Sequence, residues 1–195
     1  MRVRNEKLVK LGVTLPQFVS RGQVIAQLPS LSLLIIASVT PDDIELDYVE
    51  VPDVSQIKEL NLDYDLVAIT SYSAQIYEAY ELAGRYKEAG IPVVIGGTHV
   101  IAEPEEAKTY ADSVVIGEAE PLWPKLIDDL KNSRLQPFYK EEHPGTYALS
   151  DSPIPKYELL EPENYNRITV QTSRGCPHDC EFCAGSKLFG SGFRQ

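Results

Sequence analysis

Three short apolar runs, at residues 66–70 (LVAIT), 92–95 (PVVI) and 113–116 (SVVI), each end in small or polar residues, and helical spacing fills the intervals between them. Such runs suit strands buried on both faces, because neither side of the strand has to meet water. Residues 74–89 place Ile76, Tyr80 and Ala83 on one helical face, and Gly90 supplies a stop. Residues 103–110 open with acidic side chains, where a helix dipole favours them; Glu103, Glu105 and Glu106 could form a carboxylate cluster for catalysis, but they better suit a solvated helix start. Residues 121–130 put Leu122, Trp123, Leu126, Ile127 and Leu130 inward, with Pro121 suited to the first turn.

Strands alternating with crossover helices predict an α/β fold, a doubly wound parallel sheet of the Rossmann type. Residues 7–13 (KLVKLGV) read as its first strand, 14–23 as the following loop and 28–39 as a buried helix. Residues 44–51 (IELDYVEV) alternate at period two, as a half-exposed edge strand would. In a parallel sheet all carboxyl ends share one edge, and ligands bind there. That edge is furnished here by Ser71, Tyr72 and Ser73, by Gly96, Gly97, Thr98 and His99, and by Gly117 and Glu118. A glycine at such an edge lets a ligand approach the backbone. A dinucleotide site is not expected, because no G-x-G-x-x-G follows the first strand.

The domain is expected over residues 1–133. Residues 134–166 then read as an extended linker, since 137, 144, 153, 155 and 162 are all proline. Residues 168–171 (ITVQ) predict a new strand that leads into the last segment, 167–195. Every cysteine of the chain lies there, at Cys176, Cys180 and Cys183. Three thiolates at intervals of four and three suit a loop around an iron–sulfur cluster. Zinc is the competing reading, with His178 completing a set of three sulfurs and one nitrogen. An odd cysteine count at this spacing does not suit a disulfide framework.

The net charge of −11 argues against nucleic acid as a partner. No segment approaches the roughly 20 apolar residues of a membrane span. Clustered thiols without an export signal point to the cytoplasm.

The stretch from Thr172 to Ala184, TSRGCPHDCEFCA, resembles the opening of a radical S-adenosylmethionine (SAM) domain, with its C-x3-C-x-aromatic-C pattern after the first barrel strand. The resemblance implies that Cys176, Cys180 and Cys183 ligate three irons of a [4Fe–4S] cluster. The open iron would bind SAM, and Phe182 would pack near its adenine. No catalytic residue is implied beyond the cluster ligands. The earlier series VIGGTHV (94–100), PEE (104–106), ADSVVIGE (111–118) and Glu120 is similar to the cobalamin-binding domain that precedes the barrel in one radical SAM class. That likeness implies cobalamin along the carboxyl edge. It departs from the family's D-x-H-x-x-G pattern, since residues 14–23 contain no histidine, so cobalt ligation from this loop is not implied.

By the same likeness the parent is a methyltransferase or related radical enzyme, with a metabolite substrate and an electron donor such as a flavodoxin or ferredoxin. The sequence stops twelve residues after Cys183, so an incomplete barrel is expected, with little turnover by this chain alone. Three alternatives stay open: a radical SAM enzyme without cobalamin, a non-catalytic cobalamin-binding module and a zinc-stabilised module.

Overall fold

The computed structural model describes residues 28–195 apart from 52, 166–167, 179 and 191. The expected first strand at 7–13 and its loop at 14–23 lie outside the described residues. Four parallel strands form one sheet in the order β1 (Val67–Thr70), β2 (Val93–Gly96), β3 (Ser113–Ile116) and β4 (Phe138–Lys140). Register pairs Thr70 with Gly96, Ile95 with Val114 and Ile116 with Lys140, so every strand ends on the same edge.

Helices cover both faces, as a doubly wound sheet requires. Helix α1 (Leu31–Ser38) precedes the sheet, and α2 (Ile76–Glu88) joins β1 to β2. Helices α3 (Thr98–Ala102) and α4 (Pro104–Tyr110) join β2 to β3, and α5 (Trp123–Lys131) joins β3 to β4. The interiors of β2 and β3 are apolar because their side chains meet a helix layer on each face. Val93, Ile95 and Val114 pack with Ile76, Tyr80 and Ala83 of α2 on one face. Val94, Val115 and Tyr139 pack with Trp123, Leu126 and Ile127 of α5 on the other, where Ile36 of α1 joins them. Trp123 Nε1 donates to Thr40 Oγ1 at 2.8 Å, which satisfies the indole within this layer.

Local signals set the helix ends. Gly90, at φ 83°, takes the left-handed position after α2, and its N–H donates to Lys87 O at 2.9 Å. Proline 124, rather than Pro121, occupies the first turn of α5. The expected helix at 103–110 appears as α4, with a separate short helix α3 ahead of it.

Two expected strands do not form among the described residues. Residues 44–51 keep their alternation, since Ile44, Leu46 and Tyr48 are half-buried between exposed neighbours, but they pair with no described strand. Period two sets which side chains are covered; a ladder also needs an adjacent backbone. Residues 168–171 are likewise irregular, with Ile168 and Val170 exposed. Their neighbourhood contributes one antiparallel bridge, Arg174 to Arg194. Conversely, β4 falls inside the stretch read as linker. Tyr139 anchors it, donating to Asp129 Oδ2 of α5 at 3.0 Å while accepting from Gln136 N–H at 3.0 Å.

Candidate functional site

The carboxyl edge of β1–β3 opens into a cavity of about 1630 Å³. That exceeds the ~300–1,000 Å³ usual for small-molecule pockets. Of the residues expected at this edge, Ser71, Tyr72, Gly96, Gly97, Thr98, Gly117 and Glu118 line it. Ser73 and His99 do not. Ser73 opens an exposed 3-10 turn ahead of α2. His99 lies instead in the α2–α4 layer, edge-on to Tyr80 at 6.4 Å between ring centres. Its Nε2 is 3.5 Å from Glu106 Oε1 and makes no hydrogen bond among the described residues.

Protein packing by itself already requires glycine at two of the three edge positions. Gly97 has φ 107°, and a Cβ there would lie 2.7 Å from Ser71 O and 2.9 Å from Thr70 Oγ1. Gly117 has φ 105°, and its Cβ would collide with the Glu141 carboxylate. Both positions need the left-handed conformation, which costs a side-chain-bearing residue free energy. Gly96 carries no such constraint: a Cβ would make ordinary contact with Val115 at 3.7 Å.

Another part of the lining comes from the C-terminal segment. Ser173, Arg174, Gly175 and Phe189 face the same cavity as the sheet edge. Arg174 is held there by charge. Its Nη1 donates to Glu118 Oε1 at 2.9 Å, its Nη2 to Glu120 Oε1, and its Nε to Gln171 Oε1 at 2.8 Å. Arg194 Nη1 donates to Glu118 Oε2 at 2.7 Å, and Arg174 and Arg194 exchange backbone hydrogen bonds of 2.9 Å. Burial alone would pull the Arg174 guanidinium down, but its bonds to Glu120 and Glu118 outweigh that and raise it above its ordinary value. Glu141 Oε2 accepts from Glu118 N–H at 2.7 Å. Burial pushes the Glu141 carboxyl up, and the nearby Glu118 charge adds to the effect.

Beyond Arg174, Gly175 takes φ 78° against the Gly192 carbonyl, a position closed to any Cβ. Cys176 follows and is half-buried, whereas Cys180 and Cys183 are exposed; all three are free thiols. Cys183 N–H donates to Cys180 O at 3.0 Å, which makes a turn between them. The short helix α6 (Gly185–Phe189) comes next. Among the described residues, no three Cys, His, Asp or Glu side chains converge closely enough to hold a metal ion. The donor set suits a cluster in its chemistry, but its sulfurs are not gathered. Phe182 is 93% exposed and packs against no described element.

Arg174, Arg194 and Glu141 were not legible as site residues. Arg174 lies within the TSRGCP stretch, but its acidic partners Glu118 and Glu120 are more than fifty residues away, and nothing in the sequence marks Arg194 or Glu141. Among the described residues, no helix is long and apolar enough to cross a membrane.

Residues 22–127 match the B12 binding domain family. The chain is 32% identical over 171 residues to bacteriochlorophyllide d C-8(2)-methyltransferase of Chlorobaculum tepidum, covering 84% of this chain and 37% of that protein. It is 31% identical to an uncharacterised methyltransferase of Pyrococcus horikoshii, covering 85% and 42%. It is 30% identical to the hopanoid C-2 methylase of Rhodopseudomonas palustris, covering 86% and 32%. This chain therefore spans well under half the length of these curated relatives. Among solved structures, the N-terminal domain of a hypothetical Thermotoga maritima protein superposes with a TM-score of 0.41 at 22% identity, over 58% of this chain and 90% of that one, a likeness too slight to argue from.

Proposed function

The chain belongs to the B12-binding domain family, and we propose that it forms the cofactor-holding portion of a cobalamin-dependent radical SAM methyltransferase. The observation that carries this reading is the shared cavity: the sheet edge is one wall, and the chain leading into Cys176 is another. Ser71, Thr98 and the backbone at Gly96, Gly97 and Gly117 would hold the corrin and its tail through hydroxyl and peptide groups. Tyr72, 66% exposed, offers an aromatic face beside them. Cys176, Cys180 and Cys183 would ligate the cluster, and Phe182, on the same loop, would cover the adenine of SAM. The exposure of Cys180 and Cys183 supports a loop free to close on a cluster, because few contacts have to break.

When bound, the [4Fe–4S] cluster supplies the electron that splits SAM, and cobalamin supplies a methyl carrier. This chain's own residues bind and orient these groups. Relatives named for methylating bacteriochlorophyllide and hopanoid carbons support a carbon acceptor on a metabolite. A flavodoxin- or ferredoxin-type donor in the cytoplasm would supply the electron.

Anaerobic reconstitution with iron, sulfide and hydroxocobalamin tests the reading. Retention of a corrin spectrum through gel filtration, with iron and labile sulfide, is the expected result. Colourless protein containing zinc in place of iron and no corrin would rule it out.

A further inference from the structure

We propose that Glu118 and Glu120 are positioning residues: together they grip Arg174 and thereby fix where the cysteine loop stands over the carboxyl edge of the sheet. The purpose of this grip rests on the corrin reading above, but its geometry does not.

The two carboxylates leave the sheet just after β3, spaced by one residue, with side chains 8% and 6% exposed. Buried carboxylates are costly unless paired. Their partners come from the C-terminal segment: Glu118 receives one guanidinium through each oxygen, from Arg174 and Arg194, and Glu120 receives Arg174. The sheet edge thus carries two acids whose burial is balanced by the segment that bears the cysteines. Charge complementarity of this kind sets register between two surfaces more than it sets affinity.

Arg174 is suited to that task in a way lysine is not. Its fork places Nη1, Nη2 and Nε on three separate acceptors, which fixes the guanidinium plane as well as its place. Gly175, lying close against the Gly192 carbonyl, joins Arg174 directly to Cys176, while the backbone bonds between Arg174 and Arg194 hold the start of this path. The fixed path runs from Glu118 and Glu120 through Arg174 and Gly175 to Cys176, the least exposed of the thiols. Its effect would be to hold the first cluster ligand at a set distance from a corrin at the edge.

Hydrogen exchange across 168–183 in the full chain without cofactors tests the grip, comparing wild type with Glu120→Gln and Arg174→Lys. Exchange about tenfold faster there in both variants, with β1–β3 unchanged, is expected. Wild-type rates in 168–183 for both variants, or for Arg174→Lys alone, would overturn the two-carboxylate bridge. Positioning, as opposed to mere stabilisation, is read from the loaded protein. Relaxation of the cob(II)alamin electron paramagnetic resonance signal by the reduced cluster depends on their separation, so it should weaken or broaden in distribution in Glu120→Gln. An unchanged relaxation rate would overturn the positioning role. A wild-type chain that takes up no corrin would sink the functional reading instead, and the exchange comparison would still judge the grip.

Discussion

Arg174 Nη1 donates to Glu118 Oε1 across 2.9 Å, although the two residues stand 56 positions apart in the chain. This bond, with its companion to Glu120, brings the cysteine-bearing segment onto the ligand edge of the sheet. Both side chains are nearly buried, so the pair cannot trade its partner for water cheaply. Arg174→Lys retains one positive charge but cannot reach Glu118, Glu120 and Gln171 together. Its expected cost is about 1–3 kcal/mol, the range for charge-assisted hydrogen bonds. Urea unfolding followed by circular dichroism should show a lower midpoint, and an unaltered midpoint would contradict the bidentate role.

Gly97→Ala should damage the edge without touching the hydrophobic layers. The added methyl would sit 2.7 Å from Ser71 O, at a φ of 107° that alanine disfavours. Relief requires the turn after β1 to move, at an expected cost of ~1–3 kcal/mol. The Ser71–Tyr72 turn forms the cavity wall, so corrin retention should fall along with stability. A variant as stable as wild type would show that the close approach is readily relaxed.

Strands β1 to β3 were legible because covered strands keep β-branched residues in unbroken runs, as in Val93-Val94-Ile95. Strand β4 was not. Pro137 precedes it, Lys140 ends it, and its inward anchor is a tyrosine whose hydroxyl needs the distant Asp129. Helix α3 was hidden because Gly97-Thr98-His99 reads as a loop, while its closure depends on Val100 being fully buried. At the site, the cysteines announce themselves by spacing. The Glu118–Arg174 pairing does not, since periodicity arguments reach only a few residues along the chain. His99 shows the limit of reading position from order in sequence: it follows the β2 edge residues, yet its ring stands in the helix layer beside Tyr80.

Glu141 gives the fold a pH dependence with a definite sign. Burial, reinforced by the Glu118 charge, raises its carboxyl above the ordinary value of 4.5. The folded chain therefore holds this proton more tightly than the unfolded chain. That contribution is fully present below the ordinary value and is lost as pH rises through the raised folded value. Glutamine cannot ionise, yet its amide oxygen can still accept from Glu118 N–H. Glu141→Gln should match wild type at about pH 4 and melt higher than wild type at about pH 7.5. Melting curves across that range decide it; a gap that widens toward acid instead would reverse the assignment.

Cys183→Ala separates the two cofactor sites. Cys183 is exposed, and its backbone turn to Cys180 O does not involve sulfur, so the substitution should leave folding unchanged. A cluster that has lost one of three thiolate ligands is poorly held, and iron and labile sulfide after reconstitution should drop by more than about half. Corrin uptake should persist, because Ser71, Thr98 and the backbone at Gly96, Gly97 and Gly117, which would hold it, come from the sheet's own loops. The measurement is iron, sulfide and corrin absorbance on the same gel-filtered sample. Joint loss of iron and corrin would mean that the cysteine loop itself completes the corrin site, and intact iron would remove Cys183 from the ligand set.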